Sequence, residues 1–99
     1  MEKITIITLG PENPCAKCKK TRKNLELMLK EFPEYKEKID YSHKDISSKE
    51  IVEKYGILQG PAVIINDILI SQGHVPTIKK IKNAFERLVI KKDWISGKT

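Results

Sequence analysis

Cys15-Ala16-Lys17-Cys18 holds both cysteines of the chain, and two thiols at this spacing can pass a disulfide from one to the other. The thiolate is the reactive form of cysteine, so the surroundings of each sulfur decide which one attacks. Asn13-Pro14 precedes the pair: an N-cap side chain, then a proline whose missing N–H costs nothing at a first helical position. Cys15 is therefore expected in the first turn of a helix, where unpaired N–H groups and the positive end of the helix dipole favour an anion. Its pKa should lie below the free-thiol value of about 8.5, making it the nucleophile. Cys18, one turn on, is the resolving thiol, placed to attack a mixed disulfide at Cys15. Lys17 between them is either a solvated helix residue or a charge that lowers the pKa of Cys15 further.

Other chemistry is open to the same residue types. Two thiolates can hold a soft ion such as Cu(I), or share an iron–sulfur cluster between two protomers. They can also be two incidental core cysteines, or belong to an adaptor that binds partners without turnover. His43 and His74 are the remaining candidates for a metal site, but they stand far apart in the sequence, where zinc-finger histidines stand roughly 3–5 residues apart. No metal and no organic cofactor are expected.

Positioning the pair requires a strand and a helix. Lys3 to Leu9 is short and β-branched and runs into Gly10-Pro11, the pattern of a buried strand. Pro14 to about Phe32 reads as a helix closed by Pro33, with Cys18, Thr21, Leu25, Met28, Leu29 and Phe32 on one face. Lys38 to Lys44 alternates weakly and suggests an edge strand. Ser47-Ser48-Lys49-Glu50 reads as a capping box opening a helix through about Tyr55, with Gly56 as its stop. Ala62 to Ile65 is a buried strand, Asn66-Asp67 a two-residue turn, and Ile68 to Ile70 the return strand. Ile78, Ile81, Ala84, Phe85, Leu88 and Val89 form the apolar stripe of a last helix. The expectation is an α/β fold in the order βαβαββα, a four-stranded mixed sheet with helices on both faces.

Ninety-nine residues suffice for one core. Residues 1–92 read as a single domain and 93–99 as a frayed tail, on which Trp94 is the candidate to dock. The net charge of +6 comes almost wholly from lysines interspersed with glutamates, a solvated surface. Only Arg22 and Arg87 are arginines, which argues against a nucleic-acid site. No run approaches the roughly 18 apolar residues of a membrane span. A lone C-x-x-C with no room for a signal peptide points to the cytoplasm, and a monomer is expected.

The strand–Pro-Cys-x-x-Cys–helix order, with Lys54-Tyr55-Gly56-Ile57, Gly60-Pro61-Ala62-Val63-Ile64-Ile65-Asn66 and Gly73-His74-Val75-Pro76, resembles the thioredoxin fold. The nearer likeness is to small, glutaredoxin-sized redox-active disulfide proteins of archaea and bacteria, over roughly Ile4 to Leu88. The resemblance implies a thiol–disulfide oxidoreductase acting on protein disulfides, recharged by an upstream reductase or a small thiol. It also implies a cis peptide before Pro61, beside the cysteines, with Gly60, Pro61, Gly73 and His74 forming the substrate surface. Three features depart from the family pattern. Gly60 replaces a β-branched residue, Ala16-Lys17 matches neither thioredoxin nor glutaredoxin, and Leu9 stands where thioredoxins carry a buried acid.

Overall fold

A computed structural model describes residues 3–11 and 16–90. Asn13, Pro14 and Cys15, and the tail 93–99 with Trp94, lie outside the described residues.

Strand β1 (Ile4–Gly10) is buried along nearly its whole length. It lies inside a four-stranded sheet ordered β2-β1-β3-β4, parallel to β2 (Ile39–Asp45) and antiparallel to β3 (Ala62–Ile65). β4 (Ile68–Gln72) completes the hairpin with β3. The strands β1 and β3 are apolar at almost every position because both faces of the sheet are covered. On one face Ile4, Ile6, Val63 and Ile65 pack against Leu25 and Met28 of α1 (Ala16–Leu29) and Ile81 and Phe85 of α3 (Ile78–Phe85). On the other, Ile7, Leu9, Ala62 and Ile64 pack against Ile51 of α2 (Lys49–Tyr55). The expected α/β order with helices on both faces is thus the observed one, and β2 is an edge strand.

Local chemistry shifts several boundaries from their expected places. α1 ends at Leu29 rather than Phe32, and Pro33 does not close it but opens a 3₁₀ turn over Pro33–Lys38. A residue before proline is pushed out of the α region, and Phe32 sits at φ −130°, ψ 60°. Its ring still reaches the core, 5.2 Å from that of Phe85. The cap of α2 is Ser48, not Ser47: Ser48 Oγ accepts from the Ile51 N–H. Ser47 is taken up by Asp45, whose Oδ1 accepts from both its N–H and its hydroxyl at 2.9 Å. Asp45 is the last residue of β2 and pairs in register with Gly10.

The hairpin turn forms as its residues require, with Asn66 and Asp67 both left-handed at φ 49° and 66°. β4 then runs two residues past Ile70. Thr77 caps α3 by accepting from the Lys80 N–H, and the helix widens into a π turn over Glu86–Ile90 that keeps Val89 buried.

Candidate functional site: a thiol groove at the end of the sheet

β1 delivers Gly10 to the start of α1, and Cys18 in the first turns of that helix is 4% exposed. Gly10 leaves room for the thiol: a Cβ built on it would overlap Cys18 Sγ. The backbone of Gly60 comes close to the same point, since a Cβ on Gly60 would lie 3.5 Å from Gly10 Cα and 3.6 Å from Ile46 Cδ1. Two glycines thereby let the end of β1 approach the Gly60–Pro61 peptide, which is cis.

Around them opens a groove of about 360 Å³, walled by Pro11, Lys17, Cys18, Ile46, Ser47, Gly60 and Pro61. Four of the residues expected at a site, Lys17, Cys18, Gly60 and Pro61, are therefore gathered in one place. Gly73 supports it from behind: its N–H donates to the carbonyls of Gln59 at 2.9 Å and Pro61 at 3.1 Å. Its φ of +81° is a left-handed value that suits glycine. His74 is exposed, with Nε2 3.4 Å from Ser71 Oγ. Among the described residues, neither Gly73 nor His74 walls the groove. Cys15 and Pro14 lie outside the described residues. A larger groove of about 540 Å³ is lined by Glu26, Leu29, Lys30, Pro33, Lys36 and Ile39 and holds none of the expected site residues.

His43, in sequence only a candidate metal ligand, is placed beside the groove's strand by the fold. It is half-buried on β2 opposite Thr8, and Thr8 Oγ1 lies 2.9 Å from His43 Nδ1 and 3.1 Å from the Tyr41 hydroxyl. His43 Nε2 lies 3.2 Å from the Pro11 carbonyl oxygen. A carbonyl only accepts, so Nε2 carries hydrogen, and in the neutral ring Nδ1 accepts from the Thr8 hydroxyl. With Thr8 donating to that ring, its oxygen accepts from the Tyr41 hydroxyl. The ring lies on the same side of Gly10 as the thiol, with its Cε1 3.6 Å from the point a Gly10 Cβ would occupy. The signal for this was the alternation Tyr41, His43, Asp45, which becomes informative only once paired with Thr8 and Gly10.

The ionised groups near the groove hold one another. The N–H and then the hydroxyl of Ser47 keep the Asp45 carboxyl below its usual range, and Lys44 does the same for Glu50. Among the described residues, no group of three or more His, Cys, Asp or Glu gathers as a metal site would require. No described helix is long and apolar enough to cross a membrane.

Sequence and structure comparisons define the class. A family model described as "Thioredoxin domain" matches residues 2–86, and the chain belongs to that family. It is a small thioredoxin-type redox domain. No curated protein matches its sequence. Among solved structures, a Staphylococcus aureus protein of unknown function superposes with a TM-score of 0.64 at 19% identity, covering 91% of this chain and 94% of that one. The germline-specific thioredoxin Deadhead of Drosophila gives 0.59 at 16% identity, with 89% and 83% covered. The oxidised thioredoxin of Plasmodium falciparum gives 0.57 at 19% identity, with 87% and 81% covered. These likenesses concern the fold.

Proposed function

We propose that the protein is a thiol–disulfide oxidoreductase that reduces or exchanges protein disulfides through Cys15 and Cys18. The observation that carries this reading is the Cys18 thiol in a groove shared with Gly60-Pro61, in a chain whose preceding cysteine is three residues away. Cys15 thiolate attacks one sulfur of a substrate disulfide; that bond breaks and the first substrate thiolate leaves and takes a proton. Cys18 thiolate then attacks the Cys15 sulfur, releasing the second substrate thiol and leaving a Cys15–Cys18 disulfide. Two electrons and two protons pass to the substrate. A reductase or small thiol in the cytoplasm returns them, and the protein works as a monomer without metal or organic cofactor. Gly60, Pro61, Gly73 and His74 form the face that meets the substrate, and Pro14 and Lys17 tune Cys15.

The test is reduction of insulin disulfides with each cysteine replaced in turn. Cys15→Ser should abolish turnover. Cys18→Ser should stall as a mixed disulfide, seen as a covalent adduct by mass spectrometry and released by dithiothreitol. Turnover retained in Cys15→Ser, or no adduct in Cys18→Ser, overturns the reading.

A further inference from the structure

Along the sequence lysines and glutamates intermix, but the fold separates them. α1 and α3 lie side by side on one face of the sheet. Together they hold eight basic residues and one acid, a charge of +7, against +6 for the whole chain, so everything else sums to −1. Charge pairing is equally uneven. Away from these helices, Lys44, Lys49 and Lys54 are held by Glu50, Glu53 and Asp67. On α1 and α3, Arg22 and Lys82 are balanced by Glu26 and Glu31. Lys19, Lys20, Lys23, Lys79 and Lys80 are exposed, and among the described residues none of them is in an ion pair.

Two contacts fix how the helices meet. Asn24 Nδ2 donates to the Pro76 carbonyl at 2.9 Å, and Lys82 Nζ lies 2.9 Å from a Glu31 carboxylate oxygen. Residues three and four apart share a helix face. Lys20, four before Asn24, therefore stands on the flank of α1 that meets α3, and Lys79, three before Lys82, on the flank of α3 that meets α1. The exposed Lys23 and Lys80 stand within a turn of them. Lys20 is also two residues from Cys18, so this cationic seam begins at the thiol groove. Its placement works against stability. A first helical turn favours acids, yet neither helix has one there, and α3 opens Ile78-Lys79-Lys80. Like charges gathered on one face repel, and an oppositely charged partner relieves that repulsion.

We infer that the α1–α3 seam docks an acidic segment of the protein whose disulfide the cysteine pair exchanges, so that substrates with glutamate or aspartate near the disulfide are preferred. The inference takes its chemistry, though not its surface, from the oxidoreductase reading above. Attraction across the seam raises the encounter rate and is screened by salt; the bonds made and broken are unchanged. Nucleic acid suits the face less well. The only aromatic residue of either helix is the buried Phe85, and their one arginine, Arg22, is engaged by Glu26 and the Tyr41 ring. A membrane surface suits it less well too, since Leu27 is the one exposed large apolar residue on the two helices.

The experiment uses the prereduced full chain and two peptides with the same disulfide ring, one flanked by glutamates and the other by lysines. Reduction is followed at ionic strengths of about 0.01 M and about 1 M, where charges act over about 30 Å and about 3 Å. The acidic peptide should react roughly tenfold faster at low salt and about equally fast at high salt. Lys20→Glu combined with Lys79→Glu should remove the preference without lowering Tm, since Lys79→Glu puts an acid at a helix start. Lys36→Glu combined with Lys49→Glu makes the same change in net charge away from the seam and should keep most of it. Binding is read separately, by fluorescence anisotropy of a labelled, cysteine-free, glutamate-rich peptide on the full chain carrying Cys15→Ser and Cys18→Ser. The seam variant should weaken it severalfold. No acidic preference at low salt, or a preference lost equally in the control variant, overturns the proposal. So does tighter binding of a single-stranded oligonucleotide or of phosphatidylserine vesicles than of the glutamate-rich peptide. Seam-dependent peptide binding without any disulfide reduction would sink only the oxidoreductase reading, and reduction indifferent to peptide charge would sink only the seam.

Discussion

Replacing Gly10 by alanine tests the geometry on which the groove depends. In an unstrained open position the change would stabilise by about 0.4–1 kcal/mol, because alanine has less freedom to lose on folding. Gly10 is buried, and its new Cβ would overlap Cys18 Sγ. Overpacking of this kind costs about 1–3 kcal/mol, so the net expectation is a loss of about 1–2 kcal/mol. For a domain of this size that is a fall in Tm of about 5–15 °C. Gly60→Ala is the matched control: its Cβ meets nothing nearer than Gly10 Cα at 3.5 Å, an ordinary contact, and stability should change by less than about 0.5 kcal/mol. Urea unfolding of both variants, repeated with Cys18→Ala, gives a double-mutant cycle. With the sulfur gone, the Gly10→Ala penalty should nearly vanish, since the next atoms are His43 Cε1 at 3.6 Å and Cys18 Cβ at 3.9 Å. Gly10→Ala should also speed alkylation of Cys18 by turning its thiol out of place. A penalty that persists in Cys18→Ala, or one equalled by Gly60→Ala, refutes the packing argument.

Two further predictions follow from the core and the surface charges. Phe85 is fully buried and meets the rings of Phe32 at 5.2 Å and Tyr35 at 5.7 Å, so Phe85→Ala should lose about 3–5 kcal/mol in urea unfolding. The exposed Leu27 serves as control, and a loss at Phe85 no larger than at Leu27 would refute the assignment of the core. Asp67 is held below its ordinary carboxyl value of 3.8 by hydrogen bonds from Lys54 and then Tyr55. A carboxyl depressed in the folded state contributes stability that is present above its unfolded value and lost as pH falls through the folded one. Stability should therefore fall in acid below about pH 4, and Asp67→Asn should flatten that fall; an acid profile unchanged by Asp67→Asn counts against the cluster.

Much of the fold was legible because its signals are local. β1 and β3 declare themselves as short apolar runs, Asn66-Asp67 as a left-handed turn, and Ile78 to Val89 as a stripe, all of which hold in the structure. The errors fall where two local signals compete. Ser47 and Ser48 both suit an N-cap, and the choice went to Ser48 because Asp45 at the strand end captures Ser47. Pro33 was legible as a helix breaker, but not as the opening of a 3₁₀ turn that lets Phe32 fold back onto Phe85.

The site divides along the same line. Cys18 announced itself by its place on the apolar face of α1, and Gly60-Pro61 by likeness to a known pattern. His43 did not, because nothing within five residues of it gives it a role. Its partners are Thr8 and Pro11, more than thirty positions away, and only the parallel register of β1 with β2 sets them opposite one another. A shift of one residue would turn His43 to the α2 face, away from the thiol. Gly10 is the second condition, since any side chain there would occupy the space that the thiol fills. A glycine and a histidine that look unremarkable in sequence are thus brought to the side of the buried thiol once the sheet is assembled. The place of His43 beside Thr8 and Gly10 is therefore legible only from the paired strands.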